Sequence, residues 1–89
     1  MSEFATWLRR AMRKRKMNNS DVARALWGTI KDSRGYDVAR MRDRIGHYLR
    51  GSFPDGPNLV RIGKVFRTDP LELFYLAPTP RVHKMRRRR

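Results

Sequence analysis

At 89 residues the chain has room for one small core, burying about 60–65% of the surface its extended form would expose. It has no cysteine, so no disulfide staples the fold and no thiolate serves as ligand or nucleophile. Lysine and arginine number 22 against 8 aspartate and glutamate, a formal net charge of +14, and such an excess draws a protein to polyanions. No apolar run approaches the roughly 20 residues that span a bilayer, and the N-terminus lacks the uncharged core of a signal peptide. A soluble intracellular protein is expected.

The stripe Phe4, Trp7, Leu8, Ala11, Met12 recurs at i, i+3, i+4, i+7 and i+8 and predicts a first amphipathic helix, with Ser2 as N-cap. Its other face holds Arg9, Arg10, Arg13, Lys14 and Lys16. "MNNSDVARALWG" predicts a second helix: Asn18 caps it, Asp21 sits at N3, Val22, Ala23, Leu26 and Trp27 face inward, and Gly28 stops it. Thr29 to Tyr36 has no sustained period and many turn residues, so it is read as a loop. A third helix is expected from Asp37, with Val38, Met41, Ile45, Tyr48 and Leu49 on its inner side and Gly51 closing it.

After the turn "SFPDGP", Pro57 opens a fourth helix whose buried stripe is Leu59, Ile62, Val65 and Phe66. "TDPLELFYLAP" predicts a short fifth, with Asp69 as N-cap, Pro70 at N1 and Glu72 at N3. With no alternating β-branched run, the expected fold is all-α: five helices in one domain over residues 1–77, and a basic, disordered tail over 78–89. The tail does not account for the charge. Residues 77–89 carry six basic groups, and the first 76 still hold 16 basic against 8 acidic.

Catalysis finds little support. His47 and His83 are the only histidines and neither has a partner at metal-ligand spacing. The acids fall where caps and turns use them, and no phosphate loop or nucleophile motif is present. The expectation is no enzyme, no metal and no cofactor. Binding is the better lead. On a wheel of about 100° per residue, with Ile45 inward, the opposite face of the third helix collects Arg40, Asp43, His47 and Arg50, flanked by Arg44, while Arg42 sits beside the apolar stripe. Arginine can grip guanine O6 and N7, histidine can donate to an acceptor, and aspartate can accept from cytosine N4. Taken alone, this face is better read as an ordinary solvated one, with Asp43 pairing to Arg40 and His47 for about 0.2–0.5 kcal/mol each.

The order of segments adds context. A basic first helix, "MNNSDVARALWG", "RIGHYLRG", a Pro-rich turn, "NLVRIGKVF" and "TDPLELF" together resemble the lambda-repressor-like, Cro-like helix-turn-helix family over about residues 4 to 76. The matches are the capped second helix with Val22-Ala23, then Ile45, Tyr48 and Gly51, then Leu59, Ile62 and Gly63. Two departures stand out: an enlarged loop between helices two and three, and Arg67 where the family often has glycine. The resemblance implies a third helix in the major groove, with base-facing positions at Arg42, Asp43, Gly46 and His47. Asp43 and His47, found by both routes, are the leading base readers, followed by Arg40, Arg42 and Arg44. Phosphate contacts are expected from Asn19, Ser20, Arg24, Arg50, Arg13 and Lys16. Lys31 and Arg34 in the loop either join them or belong to an ordinary solvated turn.

Helix five has more apolar groups than one short face needs, so Leu73, Phe74, Tyr75 and Leu76 are expected to include a homodimer interface over a palindromic operator. The implied function is a sequence-specific double-stranded DNA-binding regulator, a repressor of bacterial or phage type acting in the cytoplasm. Two alternatives stand beside it: an antitoxin-type interaction protein, and a non-specific nucleic-acid binder using charge alone.

Overall fold

The structure is a computed structural model and describes residues 2–78. Five helices are present, α1 (Glu3–Arg15), α2 (Asn19–Trp27), α3 (Arg42–Leu49), α4 (Gly56–Phe66) and α5 (Pro70–Phe74). Between α2 and α3 stands an antiparallel hairpin of β1 (Thr29–Lys31) and β2 (Asp37–Ala39). The protein is therefore mainly helical with a small sheet rather than all-α. Apart from Pro78, the basic tail lies outside the described residues.

Local sequence chemistry sets most helix ends. Ser2 Oγ accepts from Ala5 N–H at 3.0 Å, and Asn18 and Asp21 form a reciprocal capping box at 2.8 and 2.9 Å. Asp55 caps α4 by accepting from Asn58 N–H, with Pro57 one position later than expected because Gly56 takes the first helical place. Asp69 caps α5 through Leu71 N–H at 2.9 Å. Arg67 ends α4 in the left-handed conformation, φ 56 and ψ 46, the geometry that glycine ordinarily supplies.

Phe4, Ala5, Leu8, Val22, Ala23, Ile45, Ile62 and Leu73 are fully buried, joined by Met12, Leu26, Tyr48, Leu59 and Phe66. Phe4 is the hub of the aromatic packing: its ring stacks on Trp7 at 5.7 Å and meets Phe53 and Tyr48 edge-on at 5.4 and 6.2 Å. Two arginines of α1 bind helix ends rather than facing outward only. Arg9 Nη2 donates to the Leu49 carbonyl and Arg15 Nη2 to that of Phe66, each at 3.2 Å, where C-terminal carbonyls lack intrahelical donors.

Three expectations are corrected. The loop from Thr29 contains the hairpin, because Asp32 organises a five-residue connection: its carboxylate accepts from Arg34 N–H at 2.8 Å and Tyr36 N–H at 3.0 Å, and Gly35 takes φ +85. Second, α3 starts at Arg42, not Asp37. Val38 pairs across the hairpin with Ile30, and Met41 turns the chain left-handed at φ 57 and ψ 31, so both are exposed rather than inward. Third, Leu73 is wholly buried in its own core and is unavailable to a second copy, whereas Leu71, Phe74 and Tyr75 point outward. With only five residues, α5 can turn just one side inward.

Truncating Phe4 to alanine should destabilise the chain by about 3–5 kcal/mol, read from the urea midpoint, against about 0.5–1.5 kcal/mol for Ile45→Val. Hydrogen bonding from Tyr36 N–H, chiefly, and from Arg34 holds the Asp32 carboxyl below its ordinary 3.8. A depressed carboxyl stabilises above its unfolded value and stops doing so as pH falls through its folded one. The Gly35 and Tyr36 amide resonances should therefore leave their hairpin positions below about pH 3.8, and Asp32→Ala should produce the same shift at neutral pH.

Candidate functional site

α3 has eight residues and no side-chain cap at its start, too short to persist alone. Ile45 and Tyr48, 0% and 3% exposed, hold it against α1 and α2. Helical geometry then turns the residues between them outward. Arg42, Asp43, Gly46, His47 and Arg50 form one wall of an open groove, and Asn18, Asn19 and Ser20 at the start of α2 form the other.

The charged groups of the α3 wall pair with one another, Arg42 with Asp43 and Arg50 with His47. Asp43 is 91% exposed, and among the described residues its ionic neighbour is Arg42 at 3.8 Å, not Arg40 or His47. Arg50 Nη2 lies 3.2 Å from His47 Nδ1. A guanidinium has no acceptor, so this contact requires Nδ1 to accept, leaving Nε2–H as a donor. On the opposite wall, the first amides of α2 have no intrahelical acceptor; Asn18 satisfies that of Asp21. A Cβ added to Gly46 would meet only the flexible tip of Arg50, at 3.3 Å. Core packing therefore does not require glycine there.

Of the expected base-facing set, Arg42, Asp43 and His47 come together. Arg40 does not, because it lies in the turn before α3, its N–H bonded to the Gly28 carbonyl at 3.0 Å. Arg44 lines a neighbouring hollow with Tyr48, Phe53, Asp55 and Asn58, which shares Asp43 and His47 with the groove. Burial raises the Tyr48 hydroxyl's pKa above its ordinary 10.0, and the Arg44 charge partly opposes this. Among the expected phosphate contacts, Asn19, Ser20 and Arg50 line the groove itself. Arg24 shares an adjoining hollow with Ser20 and lies 3.4 Å from Asp21. Arg13 borders Asn18 and Asn19 from α1, while Lys16 is exposed at the left-handed end of α1.

Lys31 and Arg34 are engaged inside the hairpin. Lys31 pairs with Asp37 at 2.9 Å; Arg34 pairs with Asp32 at 3.2 Å and lies over the Tyr36 ring at 5.2 Å. These exposed pairs contribute little stability, yet they lower the charge the hairpin offers to an anion. Sequence reasoning missed Val38 and Met41, which line the adjoining hollow with Ser20, Arg24, Arg42 and Asp43. The signal that could have found them is "DSRG", an aspartate followed three residues later by glycine between short β-branched segments.

No group of three or more His, Cys, Asp or Glu side chains clusters among the described residues, and no described helix is long and apolar enough to cross a membrane. Gly46→Ala should leave stability unchanged or raise it by about 0.5–1 kcal/mol. A lowered thermal midpoint would mean that the glycine serves packing. Compared with known proteins, the chain matches no family model, no curated protein and no solved structure.

Proposed function

We propose that this protein is a lambda-repressor-like helix-turn-helix regulator that reads double-stranded DNA in the major groove through α3. What carries the reading is the groove of Arg42, Asp43, Gly46, His47 and Arg50 facing the α2 N-terminus. It combines donors, an acceptor and a cation on a rigid helix, the mixture that base edges require. A surface of cations alone would grip phosphates without reading sequence. Asp43 accepts from an exocyclic amine such as cytosine N4, His47 Nε2–H donates to a base acceptor, and Arg42 adds a bidentate donor. Asn19, Ser20 and the free amides beside them hold a phosphate, with Arg50, Arg24 and Arg13 along the flanking backbone. The net charge of +14 favours this encounter at low salt.

The outward residues of α5 favour a protein contact as well. Leu71, Phe74 and Tyr75 are 62%, 58% and 77% exposed, a cluster suited to a second copy. A two-fold pair would set its recognition helices about 34–36 Å apart over a palindromic site. An antitoxin-type role would use the same face for a different protein, and co-purification of a stoichiometric partner distinguishes the two.

Selection of bound duplexes from a random pool at fixed salt should yield a defined sequence, and Asp43→Ala and His47→Ala should each alter one of its positions, at about 1–3 kcal/mol per lost base contact. Arg13→Ala should weaken all duplexes alike and reduce the salt slope by about one. Gly46→Ala should lower affinity while the fold is kept. An unchanged preferred sequence in both reader variants would refute the assignment. Phe74→Glu should convert a dimer to a monomer in sedimentation equilibrium.

A further inference from the structure

The hollow beside the α3 groove brings the hairpin and the turn after it to the start of α2. Residues 37–39 of β2, together with Met41, line it opposite Ser20 and Arg24, and it shares Ser20, Arg42 and Asp43 with the main groove. The two hollows are thus one trough, running from Arg50 along α3 to the hairpin. Its far end holds two large apolar groups, Val38 and Met41, 38% and 41% exposed, set among the cations Arg24 and Arg42 and the carboxylates Asp37 and Asp43. Ile30, directly across the hairpin from Val38, extends the same face.

Met41 is also the odd one among the left-handed residues. Lys16 and Arg67 terminate helices, where that conformation is ordinary. Met41 begins one, caps none of its amides through a side chain, and exposes a long apolar group. Glycine or asparagine would suit both the backbone and the cap better. A residue that meets neither local need, placed at the start of the reading helix, points to a role outside the fold. In a recognition helix the N-terminal residues are those that reach base edges.

We propose that Val38 and Met41 form a seat for the 5-methyl group of thymine, so that the hairpin extends the sequence read beyond the positions contacted by Asp43 and His47. The proposal rests on the DNA-binding reading. Apolar side chains distinguish thymine from the other bases through that methyl, and the flanking arginines suit an apolar contact made next to a phosphate backbone. Ser20 and Arg24 hold the backbone at the same end. The hairpin's own cations are tied to Asp32 and Asp37, so its contribution is apolar contact rather than charge.

The test uses the full chain and the duplex enriched from a random pool. Each thymidine is replaced in turn by deoxyuridine, which lacks only the methyl. The wild type should lose about fourfold in affinity, the ~0.8 kcal/mol of one buried methyl-sized group, at one or two positions adjacent to those altered by Asp43→Ala. Met41→Gly and Val38→Ala should abolish that sensitivity, and Met41→Gly should raise the thermal midpoint, which separates lost contact from lost fold. Uniform tolerance of deoxyuridine by the wild type, or sensitivity undiminished in both variants, would overturn the proposal while leaving the main reading intact. Loss of self-association in these variants with sensitivity unchanged would assign the hairpin to a protein contact and overturn it too. If no duplex is enriched, both readings fall together.

Discussion

The structure depends on the burial of Ile45 and Tyr48 against Phe4 and the surrounding core. α3 has eight residues, a left-handed entry and no cap, so its intrinsic helical stability is unfavourable. Two side chains, 0% and 3% exposed, and the bond from Arg9 to the Leu49 carbonyl hold it in place. Because helix geometry is rigid, fixing two inward residues also fixes the direction of every outward one. Arg42, Asp43, Gly46, His47 and Arg50 owe their shared groove to that packing.

Charge is divided between holding the fold and facing outward. Asp21, Asp55 and Asp69 cap helices, and Asp32 builds the hairpin turn. Asp37 pairs with Lys31. Asp43 stands apart, almost wholly exposed within a basic surface. Its one ionic neighbour among the described residues is Arg42 at 3.8 Å, and an exposed carboxylate at that place weakens simple attraction to a polyanion. Arginine is divided similarly: Arg9 and Arg15 satisfy helix carbonyls, while Arg42 and Arg50 face the groove.

Of three left-handed residues that carry a Cβ among those described, Lys16, Met41 and Arg67, one stands at the junction of hairpin and helix. A left-handed residue bearing a Cβ costs roughly 1–2 kcal/mol, and Met41 bears this where the chain leaves β2 for α3. β2 packs beside α2, with Ala39 partly buried against the core. The connection between α2 and α3 thus lines the trough beside Ser20 and Arg42 instead of extending away from it.

Capping residues and apolar periods in the sequence determined α1, α2, α4 and the start of α5 to within a residue or two, because each signal is local: an oxygen three residues before an amide, or a stripe repeating every 3.6 residues; α5 ends at Phe74 instead of running on to Pro78. They also determined that Ile45 and Tyr48 face inward, and hence that Asp43 and His47 face outward. The hairpin was not legible, since strands of three residues carry little pattern and Val38, Met41, Ile45 and Tyr48 mimic helical spacing. Only the tertiary structure decided which residues share the groove. Ser20 shares a hollow with Arg42 and Asp43, because packing α2 on α3 relates positions that no sequence interval connects; Arg40 drops out of the helix, and Arg44 lines the neighbouring hollow beside Tyr48.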